Sequence, residues 1–327
     1  MLGTLRLLLA LMVALSHADV RWWGLNPGVI AVVGFYAISG YVMTGLVRRH
    51  YASRALLPRF YADRALRLLP AYYAVILAAL AWYLWHGPDA LFLVRLPLWR
   101  DLFNHLLIVP HNYYMWNDAD HFVLIPPAWS LGCEIQFYLL FPLILLSGAR
   151  LPVLALSLGV YLAAFVGRLP TEWFGYRLLP GVLFIFLLGS WLADLHRQGR
   201  WNAARLLALA IPILAGLLAA VGAGAGKTAI PYNPETLLGL ALALPLLHLL
   251  APRPGKAWDE RAGDLSYGLF LCHFLVFWLW PGADTGPLAL RVLAALTLAW
   301  LIHRFIEAPI LAWRHRLRAP AAGSLEK

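Results

Sequence analysis

Apolar stretches of ~17–22 residues recur along this entire chain, and that recurrence restricts the fold more than any single motif. Such a stretch crosses the hydrocarbon core of a bilayer as a helix, since lipid offers no partner for an unpaired backbone N–H or C=O. The stretches fall at approximately 5–23, 27–47, 70–86, 130–147, 151–167, 178–195, 204–224, 235–251, 265–281 and 288–306. Outer-membrane strands would be shorter and alternating. Composition agrees: 62% of residues are apolar and 13% are charged, about half the charge fraction of a soluble domain. The expected fold is all-α, a polytopic integral membrane protein of about ten transmembrane helices.

Charge sets the orientation. Nineteen of the 26 Lys and Arg residues fall on one side of these spans and seven on the other. The densest run is Arg48, Arg49, Arg54, Arg59, Arg64 and Arg67. Basic residues favour the cytoplasmic face, so both termini are expected there. Most of these arginines need no role beyond topology and contact with anionic membrane lipids. The net charge of +10 is therefore not read as a nucleic-acid signal.

Cys133 and Cys272 both lie in apolar stretches and suit small core positions better than a disulfide. Metal-ligand spacing and a glycine-rich phosphate loop are both lacking, so no metal and no bound cofactor are expected. Internal repeats, the usual sequence pointer to a transporter, are not evident. One long outward connection, 87–129, breaks the pattern of short loops. Loops of this length are functional or disordered, and the aromatic content here argues against disorder.

The first span carries Arg6 and His17. Eleven positions at about 100° each return to nearly the same helix face, roughly 16 Å along the axis. Both cost insertion energy, so both are functional candidates. The competing reading is a signal peptide, with Leu7–Leu15 as its apolar stretch and Ser16-His17-Ala18 as its cleavage site. The segment is expected to be retained.

Five stretches, in order, resemble the membrane-bound acyltransferase family 3, whose members O-acylate cell-envelope glycans. They are the Arg-x10-His pattern of Arg6 and His17, GFYAISGYVMT around Ser39-Gly40, and RALRLLPAYY at 64–73 with its Arg-x-x-Arg spacing. WSLGCEIQFYLLFPL at 129–143 is the closest match, and LSYGLFLCHF at 265–274 with RFIEAPI at 304–310 completes the series. The family often has an acidic residue shortly before the first arginine, where this chain reads MLGTL. The resemblance divides the chain into an acyltransferase transmembrane domain, 1–312, and a short basic cytoplasmic tail, 313–327.

The resemblance implies an acyl-CoA-dependent O-acyltransferase of the bacterial inner membrane, moving an acetyl or similar short acyl group to an extracytoplasmic glycan hydroxyl. The alternative from another class is a transporter of a small anion or glycan. An acyl transfer needs a base for the acceptor hydroxyl and stabilisation of the oxyanion. His17 is the natural base. Glu134, counted to a similar depth, is the candidate to orient it. Arg6, Arg64 and Arg67 are candidates for the CoA phosphates, because planar guanidiniums match phosphate oxygens. Ser39, near mid-bilayer, is a candidate hydrogen-bond donor to the thioester; as a nucleophile it lacks an evident base at its depth. Tyr113, Trp116, Asp118 and Trp129 are candidate acceptor contacts, and His273 is a candidate channel residue. Arg304 and Glu307 are expected to form a structural salt bridge.

Overall fold

The computed structural model describes residues 1–88, 90–280 and 287–315, with side chains to residue 313. Every regular element among them is helical. In chain order these are α1 (Leu2–His17), α2 (Pro27–His50), α3 (Leu57–His86), α4 (Trp99–Leu107), α5 (Tyr114–Asn117), α6 (Ala128–Ser147) and α7 (Arg150–Phe165). They continue as α8 (Leu179–Arg197), α9 (Trp201–Gly224), α10 (Asn233–Leu250), α11 (Ala257–Leu279), α12 (Leu288–Ile302) and α13 (Ala308–His315). Residues 316–327 of the expected tail lie outside the described residues.

Eight helices are long and apolar enough to cross a membrane, while α1 and α7 have 16 residues each. Sixteen residues reach about 24 Å, short of a ~30 Å hydrocarbon core. Bonds at both ends show that each nevertheless traverses the bundle. The Met1 amine donates to the carbonyls of Leu250 (2.9 Å) and Arg253 (3.0 Å) at the end of α10. Just past α1, the Asn26 N–H donates to Glu235 Oε1 (3.2 Å) in the first turn of α10. Arg150, opening α7, pairs with Asp194 near the end of α8 (2.8 Å). Ala164, closing α7, accepts from Thr171 Oγ1 (3.0 Å) in the π-helical turn Thr171–Arg177 that leads into α8. The protein is thus an all-helical, multi-pass membrane protein, with eight helices of spanning length among the described residues and α1 and α7 running through the bundle beside them. One end of the bundle is basic, and the other carries the long loop.

α1 lies against α2 and α11, and α2 also packs on α8 and α10. Two glycines make one of these contacts, α2 with α8, possible. A Cβ on Gly40 would fall on the Phe186 carbonyl, and one on Gly189 would fall on the Ala37 carbonyl, so α2 and α8 meet backbone to backbone. α9 and α12 sit outside and turn Leu206, Leu217, Val221 and Leu293 outward, as lipid contact requires.

The loop 87–129 folds as α4, α5 and short 3-10 turns around a buried set that includes Asp101, His105, His111 and Phe122. Asp101 takes two bonds from Arg95 (2.6 and 3.0 Å) and one from the Leu98 N–H (2.7 Å). This loop dips into the bundle. Gly132 of α6 faces the Ile108 carbonyl and Asn112, where a side chain would crowd them.

Candidate active site

A cavity of about 160 Å³ opens between α1, α2, α3, α6 and α11. Five predicted residues line it together: Arg6, Ser39, Arg64, Arg67 and Glu134. Helix position explains the gathering. α3 runs through Pro70 and starts at Leu57, so Arg64 and Arg67 are helical and share a face three residues apart. Gly40 draws α2 onto α8 beside Ser39.

The three arginines differ in their partners. Arg64 is hydrogen-bonded and ion-paired to its neighbour Asp63, which is fully buried. Arg67 Nη1 pairs with Glu307 Oε2 (3.0 Å), and His303 also reaches that carboxylate (3.5 Å). The expected Arg304–Glu307 bridge does not form; Arg304 lies over the Phe305 ring instead, on the exposed side of the last helices. Its physical reason is that Glu307 faces inward and is buried, where Arg67 supplies the countercharge. Arg6 makes no hydrogen bond or ion pair with any described residue. It is the uncommitted cation of this cavity.

Glu134 Oε1 accepts from Ser39 Oγ (2.5 Å) and from Tyr138 OH (2.5 Å). A carboxylate therefore stands at the depth of Ser39, where the sequence showed no base. It does not bond His17. The seventh residue of α6 meets the thirteenth of α2, so α6 begins roughly 9 Å deeper than α2. Counting inward from the span boundary placed Glu134 too near the surface, because the folded loop occupies the space above α6.

His17 belongs to a second cavity, of about 80 Å³, towards the loop end. Trp129, Asn26, Tyr232 and Arg177 share its wall. The His17 ring bonds His273 (Nδ1 to Nε2, 3.0 Å) and packs against Phe274 (ring centroids 4.8 Å). Arg177 lies over the Trp129 ring (4.3 Å) and pairs with Glu172 (3.0 Å). The two cavities have Val32, Ser130 and Phe270 in common. A thin wall of three side chains separates them.

Tyr113, Trp116 and Asp118 do not line either cavity. The Tyr113 hydroxyl donates to Gln136 Oε1 (2.5 Å), and its ring stacks on the exposed Trp116. Asp118, with φ of +54°, lies near Arg100 (3.6 Å) on the exposed rim of the loop. The segment bends away before it reaches the site, and only its end, Pro127 and Trp129, meets it. Arg177 was missed by sequence reasoning, since an outward arginine between spans carries no periodic signal. Tyr138 could have been found, because it stands four residues after Glu134 on the same helix face. Among the described residues, no cluster of His, Cys, Asp and Glu could hold a metal ion.

The chain matches the model of the acyltransferase 3 family, described as an acyltransferase domain, over residues 2–304. It belongs to that family. A protein of Aquifex aeolicus with no described function is 36% identical over 59% of this chain and 90% of its own length. YrhL of Bacillus subtilis, provisionally named a peptidoglycan O-acetyltransferase, is 27% identical over 94% of this chain and 54% of its own. The O-acetyltransferase OatA of Staphylococcus aureus is 31% identical over 44% of this chain and 24% of its own. The chain thus spans about half of YrhL and a quarter of OatA. No solved structure matches it. As a member of this family the protein is a membrane-bound enzyme of the acyltransferase class.

Proposed function

We propose that this acyltransferase takes an acetyl or similar short acyl group from cytoplasmic acyl-CoA and places it on a hydroxyl of an extracytoplasmic cell-envelope glycan, in the bacterial inner membrane. One observation carries the reading. A cavity bearing three arginines at the basic end and a cavity bearing a histidine at the loop end share the wall Val32, Ser130 and Phe270. CoA is an anionic handle on a long thin arm, and this arrangement suits both parts. Arg6 meets the phosphates, assisted by the partly neutralised Arg64 and Arg67. The arm follows α1 for roughly 16 Å, the rise from Arg6 to His17. Ser39 and Tyr138, held by Glu134, present hydroxyls along that path.

At the loop end the acceptor oxygen attacks the thioester carbonyl carbon while His17 takes the hydroxyl proton. The new C–O bond forms, the C–S bond breaks, and the proton passes to the departing thiolate. The products are the glycan ester and free CoA. Arg177 stands across the same cavity, suited to the charge that develops on the carbonyl oxygen. Trp129 offers an aromatic face to the C–H side of a sugar ring. The relatives named as O-acetyltransferases favour acetyl as the group and a peptidoglycan-like acceptor. Mass analysis of envelope glycans from cells with and without the gene tests the reading. A base-labile acyl ester that disappears with the gene is expected; unchanged glycans, together with purified protein that does not bind acetyl-CoA, would refute it.

A further inference from the structure

Two bonds on His273 determine where the protons lie. Its Nδ1 is 3.0 Å from the carbonyl oxygen of Leu269, one turn back on α11. A carbonyl oxygen only accepts, so Nδ1 of His273 carries a proton. In the neutral ring Nε2 is then a bare acceptor. That Nε2 lies 3.0 Å from Nδ1 of His17, which must therefore be the donor. The proton of a neutral His17 is thereby held on Nδ1, and the lone pair stands on Nε2. The two rings are nearly parallel, 13° apart. His273 is fully buried, with Phe274 and Phe277 packed around it. A turned-over ring would set a carbon instead of Nδ1 against the Leu269 carbonyl and forfeit that bond.

The geometry points to His273 as a positioning residue that fixes the tautomer and orientation of His17, leaving Nε2 of His17 as the nitrogen that meets the acceptor hydroxyl. The inference rests on the reading of His17 as the base. The chain Leu269 carbonyl, His273, His17 does the work a carboxylate does for a catalytic histidine elsewhere, but without a charge. A buried anion here would need its own partner, and the carboxylate that lines the neighbouring cavity, Glu134, is committed to Ser39 and Tyr138. When His17 gains a proton on Nε2, the Nδ1–H bond to the neutral His273 persists and supports the imidazolium. No proton need pass between the rings. His273 touches neither donor nor acceptor in this scheme.

The test compares His273→Leu with His273→Gln. Leucine fills the space and removes the acceptor; the Leu269 carbonyl keeps its place in the helix ladder. Glutamine can put Oε1 where Nε2 stood and accept from His17. Inverted membrane vesicles holding each variant receive radiolabelled acetyl-CoA, and base-labile label on envelope glycan is counted against donor concentration. The Leu variant should lose about 10–100-fold in kcat with the KM for acetyl-CoA unchanged, the range seen when an orienting partner is removed. The Gln variant should recover most of that loss. Ring-nitrogen NMR of histidine-labelled protein should show His17 as the Nδ1–H tautomer in the native chain and the Gln variant, and a mixture in the Leu variant. Native kcat in His273→Leu while His17→Ala is inactive would overturn the positioning role and leave the base intact. Native activity in His17→Ala itself would instead overturn the reading on which the inference rests.

Discussion

Among the residues of the arginine-lined cavity, charge partnership separates function from framework. Arg6 makes no ion pair or hydrogen bond with any described residue, Glu134 standing elsewhere in the same cavity, whereas Arg67 is held by the buried Glu307. Arg6→Ala should weaken acetyl-CoA binding about tenfold, the equivalent of a single charge-assisted contact, and leave the melting temperature in detergent near native. Arg67→Ala should weaken binding less and cost stability more. It strands a carboxylate that already has one oxygen without a partner, which costs about 3–5 kcal/mol. Calorimetric binding and thermal unfolding of the two purified variants measure both effects; equal loss of stability in each would show that Arg6 is also structural. Sequence displayed these arginines and their spacing, but not their partners. Asp63 is adjacent to Arg64, yet Glu307 is 240 residues from Arg67, and only the packed bundle brings that pair together. The same holds for His17 and His273, which lie 256 residues apart.

Helices were the most legible elements, because their apolar runs report the membrane directly. Depth was legible only where a helix starts at the surface. α2 does so, with Asn26 capping the Gly28 N–H (2.9 Å) and Pro27 in the first turn, and Ser39 sits in the middle as counted. α6 does not, and Glu134 was placed too shallow. The contact of α2 with α8 depends on Gly40 and Gly189. Gly40→Ala must separate the helices at Ser39, so it should destabilise the protein by about 1–3 kcal/mol and reduce acyl transfer; a native melting temperature would show that α8 gives way freely. The loop makes a pH prediction. Burial alone would raise the Asp101 carboxyl, but the Arg95 and Leu98 bonds hold it below its usual range. Burial pushes His105 down, and burial together with neighbouring His105 pushes His111 well down. His105 and His111 fold with fewer protons than the unfolded chain binds below a histidine's ordinary pKa of about 6.5, so the loop loses stability as pH falls through that value, whereas Asp101 loses its contribution only below the ordinary carboxyl pKa of about 3.9. Protection factors in residues 99–125, after correction for the intrinsic exchange rate at each pH, should fall between pH 7.5 and pH 5, and His111→Phe should lessen the effect. Protection factors in this segment that do not change with pH would contradict the assignment.

For the whole molecule, the proposed transfer depends on two cavities that meet. Neither was visible in the sequence, since Val32, Ser130 and Phe270 come from three helices and carry no motif in common. Phe270 is the largest of the three. Phe270→Ala should join the cavities and widen acyl choice, raising the rate with butanoyl-CoA relative to acetyl-CoA; an unchanged preference would place the acyl-length limit elsewhere. On the proposed path an acyl group supplied at the basic end leaves as an ester at the loop end, with His17 as the base. Inverted vesicles test it most directly, because acetyl-CoA is added only to the cytoplasmic face and the glycan is enclosed. Native protein should move label into enclosed, base-labile ester. His17→Ala should bind acetyl-CoA with native affinity and transfer none of the label, whereas enclosed ester formed at the native rate by His17→Ala would contradict the account.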